Sequence, residues 1–405
     1  MQPIVIDKPY QFIPPRYSQG WHHAVRKIMP WHLRKEYGVT AVECIGAEKL
    51  CASLDAGHGV VIVANHCRPC DPMVLDRLAA AVQRPFHVIA SWHLFMANRI
   101  QRFVVPRIGA FSVYREGMDR ESLKCAVKTV AAGKFPLVIF AEGIVTRCND
   151  RLVKLMEGPA FISRAAAKQR GKVVIHPVFI RYFFEGNLER TITPVIEEIE
   201  RRLSWQPQIQ LSPRDRIRKV GGALLALKEL EYLHAPQTGT LRERLRRLED
   251  HLLTPVEDRC CAGRHDGDAM ARVKRLRTAI LPEMVNGNLD GQDRASRWRL
   301  LADLYLIQQL HCYPGDYIEN PTPERILETV ERYEEDLTDV VRAHFPLRAV
   351  ITVGDAIEVS ADHARGQRKP QEADPITTEI RRRMEELLES SKACRRVDPT
   401  GTDIQ

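Results

Sequence analysis

Short apolar runs that alternate with helical stretches constrain the fold of this chain most strongly. GVVIVAN is a β-branched run of the length and character that form a buried strand. The strand signals lie at residues 59–65, 85–91, 107–115, 135–143 and 172–183. Helices are predicted between them at residues 71–82, 119–132 and 158–170. This alternation predicts an α/β fold, with a mostly parallel sheet flanked by helices.

After about residue 190 the pattern changes to charged helical stretches, such as LRERLRRLEDHLL, whose leucines share one face. A strand signal returns at 347–359, and a final amphipathic helix is expected at about 375–389. The helical block is therefore predicted to be a large all-helical insertion, after which the chain returns to the first sheet. The predicted segments are an N-terminal extended and amphipathic segment (1–50), the first part of the α/β domain (51–190), the insertion (191–345), the closing strand and helix (346–390) and a flexible tail (391–405).

The bulk properties limit the compartment and the partners. The net charge of +8 favours anionic partners, such as acidic lipid surfaces or phosphorylated molecules. The arginine-rich helices carry interleaved acidic residues and lack aromatic platforms, which argues against nucleic acid. A disulfide framework is not expected from ten cysteines in a chain of 405 residues. No signal peptide and no run of about 18 apolar residues is visible, so a cytoplasmic protein without a transmembrane helix is expected.

The segment ANHCRPCDP, at residues 64–72, contains two possible reactive pairs. Cys67 and Cys70 form a C-x-x-C near a helix start, which is compatible with thiol redox chemistry or half a metal site. His66 and Asp71 instead form a histidine with an acid five positions later. Because the strand ends here, the carboxylate can turn back onto the imidazole, fix its tautomer and leave the other nitrogen as a general base. Asp71 can equally be a simple helix cap.

Three further blocks follow in order, each beside a predicted strand: GAFSVYR (109–115), FAEGIVTR (140–147) and VIHPVF (174–179). Together with NHCRPCD they resemble the four blocks of the glycerolipid acyltransferases, the 1-acylglycerol-3-phosphate acyltransferase family. The blocks of that family read NHxxxxD, GxxFxxR, FPEGTRS and a VIPV-type strand. The similarity covers about residues 55–185, and ITVGDAIEV looks like the family's closing strand. The resemblance implies the glycerolipid acyltransferase fold.

The resemblance also implies a role for each matching residue. His66 would deprotonate the hydroxyl of the acceptor, and Asp71 would orient and charge-balance the imidazole. The resulting alkoxide would attack the thioester of acyl-CoA or of acyl-carrier protein, without an acyl-enzyme. No metal and no cofactor is implied beyond the acyl donor, which is a substrate.

The other implied residues bind the acceptor. Arg115 would bind its phosphate, for which a guanidinium is well suited. Glu142 and Gly143 would shape the acceptor pocket, and Arg147 would add positive charge.

Two blocks depart from the family pattern. In the second block Phe111 lies one position early, and Ser112 takes its place. In the third block Ala141, Ile144 and Val145 stand where the family has proline, threonine and arginine. A phosphate would therefore meet one cation fewer, which leaves open a lysophospholipid with a head group, glycerol 3-phosphate or a non-glycerol alcohol as the acceptor.

The function expected from the resemblance is O-acyl transfer to a lysophospholipid, 1-acyl-glycerol-3-phosphate first of all, in phospholipid biosynthesis. The acyl substrate, the basic charge and the segment from Trp21 to Trp31 favour a peripheral position on the cytoplasmic side of the cytoplasmic membrane. Pro30 is expected to interrupt a helix in that segment. Two alternatives remain: a non-catalytic lipid-binding or scaffold protein that retains the fold, and a thiol redox protein that uses Cys67 and Cys70.

Overall fold

The computed structural model describes residues 8–261, 268–287, 289–313, 317, 319–359 and 374–396. Within these residues the chain forms two compact units. The α/β unit consists of residues 12–113, 119–186 and 343–396. The helical unit consists of residues 8–11, Tyr114–Met118 and Asn187–Arg342.

The α/β unit is built on one eight-stranded sheet. The strands are β1 Val39–Ile45, β2 Gly59–Ala64, β3 His87–Ser91, β4 Ala110–Val113, β5 Leu137–Phe140, β6 Val173–Phe184, β7 Leu347–Val353 and β8 Ile357–Val359. Their order in the sheet is β1-β7-β6-β2-β5-β3-β4, and β8 pairs with β6. Strand β6 runs antiparallel to β7 and β8, and the other neighbouring strands are parallel.

Helices flank this sheet. Its helices are α1 Gln19–Tyr37, α2 Ala47–Asp55, α3 Asp71–Ala81, α4 Trp92–Met96, α5 Arg99–Arg107, α6 Arg120–Ala132, α7 Gly158–Arg170 and α14 Pro375–Ser390, followed by a short 3-10 helix, Ser391–Cys394. All six residues of β2 are buried. Because side chains alternate along a strand, this strand must be covered on both faces, as its unbroken apolar sequence predicts.

The helical unit contains α8 Leu188–Arg202, α9 Pro213–Leu233, α10 Leu241–Cys261, α11 Ala269–Asn286, α12 Gly291–His311 and α13 Pro323–Thr338. Three leucines of the face predicted for α10 are buried: Leu245, Leu248 and Leu252 join a core with apolar residues of α11 and α12. Leu241, the first residue of the helix, was predicted on the same face and is exposed. No helix in the described ranges is long and apolar enough to cross a membrane.

The predicted α/β class, with its mostly parallel sheet and its helical insertion, is confirmed. The late strand does return to the sheet, but the run 347–359 forms two strands, β7 and β8, instead of one. Strand β1 was not predicted, since VTAVECI is short and carries polar residues, and it places part of the expected N-terminal segment in the sheet beside β7.

The expected interruption at Pro30 was wrong, because α1 continues through it to Tyr37. Pro30 is exposed, so its ring does not disturb the buried side of the helix. Of the predicted flexible tail, 391–394 is helical, and residues 397–405 lie outside the described residues.

Candidate active site

The sheet places the first and third sequence blocks side by side. Strands β2 and β5 are parallel neighbours, and their last residues, Ala64 and Phe140, are paired in register. His66 and Glu142 each follow two residues later, so they leave the same carboxyl edge of the sheet at adjacent positions. Ligands of open α/β sheets bind at this edge.

His66 and Asp71 form the pair that their spacing predicts. Asp71 Oδ2 lies 2.8 Å from His66 Nδ1. Asp71 is fully buried at the start of α3, and it also accepts hydrogen bonds from the Arg68 backbone N–H at 2.9 Å and the Tyr182 hydroxyl at 2.6 Å. An ionised carboxylate can only accept hydrogen bonds, so the proton between Asp71 and His66 is carried by His66 Nδ1. The other ring nitrogen, Nε2, then has the basic lone pair.

Three contacts fix the rest of His66. Its backbone N–H donates to Glu142 Oε2 at 2.6 Å, and its carbonyl accepts from the Thr146 backbone N–H at 2.8 Å. Its ring stacks on Phe140 with a centroid distance of 4.2 Å. None of the described residues hydrogen bonds to Nε2, and the side chain is 16% exposed. A substrate hydroxyl can therefore reach the basic nitrogen while the remainder of the histidine is held rigidly.

Glu142 connects two loops. Its Oε1 accepts a hydrogen bond from the backbone N–H of Val153 at 3.0 Å, while its Oε2 accepts the one from His66. Burial raises the pKa of this carboxyl to about 7, although both backbone donors lower it. The predicted role of Glu142 in shaping the acceptor pocket stays a prediction; the contacts show that it anchors the backbone of the general-base candidate.

Sequence reasoning missed three polar residues that complete this region. The amide of Asn65 pairs with the backbone N–H and C=O of Ile180, and Asn149 pairs in the same way with the backbone of Tyr182. These bonds hold β6 against the loops that follow β2 and β5. The available signals were Asn65 beside His66 and a tyrosine inside a buried apolar strand, but only strand register shows that the Tyr182 hydroxyl meets Asp71.

The two cysteines do not have the environment of redox thiols. Cys67 and Cys70 are both buried and unbridged. Burial and the Asp71 charge raise the pKa of Cys70 to about 12, and its sulfur lies 3.4 Å from the Tyr182 hydroxyl. Reactive thiols need the opposite shift and access to solvent. Across the described residues, no group of three or more His, Cys, Asp or Glu side chains could hold a metal ion.

Two glycines of the sequence blocks have backbone conformations that favour glycine. Gly143 has φ of +70° in the turn after β5, and Arg147 follows it, half-buried, with φ of +57°. Gly109 has φ of +104°, and a Cβ there would lie 2.7 Å from the Phe86 carbonyl oxygen. The glycine of the second block is thus required by the backbone. The roles predicted for Gly143 and Arg147 toward the acceptor stay predictions.

Arg115 lies two residues beyond β4, in the segment Tyr114–Met118, which belongs to the helical unit. Within that unit it interacts electrostatically with Glu116 and with Arg277 of α11. Its role in binding the phosphate of an acceptor stays a prediction.

A comparison with protein families agrees with the fold and with the His66–Asp71 pair at the carboxyl edge of the sheet. Residues 41–181 match the family model described as acyltransferase. This part of the chain is similar to the glycerolipid acyltransferases. The match extends from β1 nearly to the end of β6 and includes every residue of the four blocks. Neither a search of curated proteins nor one of solved structures found a match.

Proposed function

We propose that the protein transfers a fatty acyl group from a thioester, either acyl-CoA or acyl-carrier protein, to the hydroxyl of a lysophospholipid. The preferred acceptor is 1-acyl-glycerol-3-phosphate, and the reaction belongs to phospholipid biosynthesis. The observation that carries this proposal is the His66–Asp71 pair, with Nδ1 bonded to a buried carboxylate and Nε2 accessible. The match of residues 41–181 to an acyltransferase family model supports it.

The chemistry needs only one general base. His66 Nε2 removes the proton of the acceptor hydroxyl, and the oxygen attacks the thioester carbonyl carbon. The tetrahedral oxyanion collapses with cleavage of the C–S bond, and the imidazolium returns its proton to the leaving thiolate. An ester and a free thiol result, no acyl-enzyme forms, and no cofactor is consumed. Asp71 stabilises the imidazolium that exists between the two proton transfers.

A surface of the α/β unit supports peripheral attachment to a membrane. The α1–α5 surface consists of Trp21, Ile28, Trp31, Ile100 and Phe103, which are all exposed. The Trp21 and Phe103 rings are 5.3 Å apart, which joins the two helices.

Cations surround this apolar surface. Lys35 lies over the ring of Trp31 and Arg107 over that of Phe103, while Arg99 and Arg102 are exposed on α5. Apolar side chains framed by cations are typical of a surface that enters an anionic lipid interface. We place this interface on the cytoplasmic side of the membrane, where the lysophospholipid acceptor is embedded.

Thiol release from palmitoyl-CoA in the presence of lysophosphatidic acid tests the proposed activity. The wild type is compared with His66→Ala, Asp71→Asn and a Cys67→Ser/Cys70→Ser variant. We expect His66→Ala to abolish release, Asp71→Asn to reduce it by roughly 10²- to 10⁴-fold through the wrong tautomer, and the cysteine variant to retain it. An acyl group trapped on either cysteine would contradict the mechanism.

The second candidate is a lipid-binding or scaffold protein that retains the fold without catalysis. Val145, at a position where the family has arginine, favours it. A wild-type protein that binds lysolipid vesicles and releases no thiol from any acyl-CoA or acyl-carrier protein would support this candidate over the enzyme.

A further inference from the structure

A cleft of about 270 Å³, the α1–α3 cleft, is lined by the first turns of α1, the end of α3 and the turn between α3 and β3. Its lining belongs entirely to the α/β unit. Asp71 begins α3 and the cleft adjoins the other end, so roughly 15 Å of helix separates them, at 1.5 Å per residue. Strand β3 begins just after the cleft and is parallel to β5, as β2 is. The cleft therefore adjoins the amino edge of the sheet, whereas His66 lies at the carboxyl edge.

Basic and hydrogen-bonding side chains line the α1–α3 cleft, and none of its lining residues in the described part of the chain is acidic. The side chains that this inference uses are Tyr17, Gln19, His22, His23, Arg26 and Arg84. The polar groups of Tyr17, Gln19 and His23 have no hydrogen-bond partner among the described residues. The cleft thus presents donors to whatever enters it.

The wall that contains Tyr17 is held in place. The backbone N–H groups of Arg16 and Ser18 donate to carbonyl oxygens at the end of α5, at 2.9 Å each. The Tyr17 ring packs against that of Phe135 with a centroid distance of 5.2 Å. The cleft is therefore formed before a ligand arrives, as binding sites for small molecules usually are.

Arg26 is oriented by a carboxylate that lies behind the cleft. Its Nε and Nη2 donate to Asp76 at 3.1 and 2.9 Å, and His22 Nε2 lies 3.3 Å from the same carboxylate. Asp76 does not line the cleft, so it fixes both side chains without facing a ligand. The third nitrogen of Arg26, Nη1, has no hydrogen-bond partner among the described residues. It remains as a fixed donor.

Arg84 carries the charge that no carboxylate balances. Within the described ranges its one hydrogen bond is from Nη1 to the Gln83 carbonyl oxygen, at 3.3 Å, and it forms no ion pair. Gln83 has φ of +51°, a left-handed conformation that is uncommon for residues other than glycine and is found most often at functional sites. Since Asp76 balances Arg26, Arg84 gives the cleft a net positive charge.

The ligand that fits this lining is a phosphate group. The guanidinium donors of Arg26 and Arg84 match phosphate oxygens, and hydrogen bonds between charged partners are the strong ones. A phosphate group offers more oxygens than a carboxylate, which suits donors that come from several side chains. The volume lies below the roughly 300–1,000 Å³ of pockets for drug-sized ligands. It therefore suits a head group and not a whole acyl-CoA.

We propose that the α1–α3 cleft is a second binding site of the α/β unit and that it takes a phosphate group through Arg26, Arg84 and His23. The phosphate belongs either to a lipid head group or to a free phosphate ester. No step of the proposed acyl transfer uses the cleft, so this inference does not depend on that reaction. Helix α1 contributes to both the cleft and the α1–α5 surface, so a lipid phosphate bound here would add to membrane attachment, whereas a free one would not.

Two variants change the cleft in different ways. Arg84→Met removes the unbalanced charge, whereas Ala80→Phe keeps every charge and fills space in the cleft, because Ala80 is part of its lining. Arg120→Met is the matched control, since Arg120 is exposed on α6 and does not line the cleft. Thermal unfolding checks that each variant folds. Arg84 is exposed, so Arg84→Met tests the proposal even if Ala80→Phe fails to fold.

The probes separate the two sources of phosphate. Isothermal calorimetry with inorganic phosphate and with glycerol 3-phosphate, at constant ionic strength, gives Kd for a free ligand. Co-sedimentation with phosphatidylcholine vesicles that contain phosphatidic acid gives the bound fraction for a lipid. Vesicles with phosphatidylserine at equal zeta potential are the control for attraction to any anionic surface.

We expect Arg84→Met and Ala80→Phe each to weaken binding of a phosphate probe by roughly tenfold or more, as for the loss of a charge-assisted hydrogen bond, and Arg120→Met to leave it unchanged. A loss seen by calorimetry with the soluble probes identifies a free phosphate ester as the ligand. A loss confined to phosphatidic acid vesicles identifies a lipid head group.

Three results overturn the proposal. The first is a wild type that binds neither the soluble probes nor phosphatidic acid in preference to phosphatidylserine. The second is a folded Ala80→Phe variant with unchanged affinity, because the arginine would then act through surface charge and not through the cleft. The third is an equal loss in Arg120→Met, which would show that net charge alone determines binding.

Discussion

At the scale of single residues, the state of His66 depends on how Asp71 is held. Asp71 is fully buried, and its two oxygens accept from Arg68 N–H, from the Tyr182 hydroxyl and from His66 itself. A buried carboxylate needs such donors, because each lost donor exposes the charge to an apolar environment. Tyr182 lies near the end of β6 and belongs to the site for this reason, although no sequence motif contains it.

Tyr182→Phe should weaken catalysis without abolishing it. The variant removes the donor to Asp71 Oδ1 and leaves the His66–Asp71 bond in place, so the carboxylate is less stable and the imidazolium less well balanced. We expect kcat to fall roughly 10- to 100-fold, corresponding to a charged hydrogen bond of about 1.5–3 kcal/mol. Steady-state kinetics measures it. Tyr37→Phe is the control, and an equal loss there would argue against the assignment.

Glu142→Gln should destabilise the protein by about 1–3 kcal/mol, because an amide can accept only one of the two backbone N–H bonds and turns its own NH₂ toward the other. The pKa of Glu142 is about 7 in the folded state, above its ordinary value. The folded protein therefore binds more protons than the unfolded chain, and wild-type stability falls as pH rises from about 4.5 to about 7.

Glutamine does not titrate, so the stability difference between wild type and Glu142→Gln should shrink over that pH range. Urea unfolding at pH 5, 6, 7 and 8 measures it, with the exposed Glu48→Gln as the control. A difference that is constant or grows with pH would show that burial does not raise the pKa of Glu142.

At the scale of elements, the junction between α5 and β4 depends on one glycine. Gly109 combines φ of +104° with a Cβ position 2.7 Å from the Phe86 carbonyl oxygen, so any side chain there moves β4 away from β3. Gly57 also has positive φ, of +71°, but it has nothing within 4 Å of a Cβ. The two positions separate the cost of backbone conformation from the cost of a clash.

Gly57→Ala should cost about 1–2 kcal/mol for the left-handed conformation alone. Gly109→Ala should cost more, because the clash with backbone adds to it. Chemical denaturation of both variants gives the comparison, and equal losses would show that β4 can shift freely.

At the scale of the whole molecule, attachment to a membrane is the property that the α1–α5 surface is expected to confer. Replacing Trp31, Ile100 and Phe103 by serine should release the protein from anionic vesicles at low salt, since both apolar insertion and the cations that frame it are needed. Co-sedimentation measures the bound fraction. Ile209→Ser is the control, because Ile209 is 78% exposed and lies in the helical unit. A wild type that stays unbound would contradict peripheral attachment.

The sequence by itself determined the class of fold and the reactive pair. The short, β-branched apolar run at residues 59–65 favours a buried strand, and the spacing of His66 and Asp71 lets one short loop bring them together. These features are local, so they can be read without knowing what lies across the sheet. The helical character of residues 191–345 followed from periodicity in the same way.

Only the tertiary structure decided which distant groups complete the site. Tyr182 reaches Asp71, and Glu142 reaches the His66 backbone, through the register of β6 and β5 against β2. Register depends on the packing of whole strands, which no local pattern specifies.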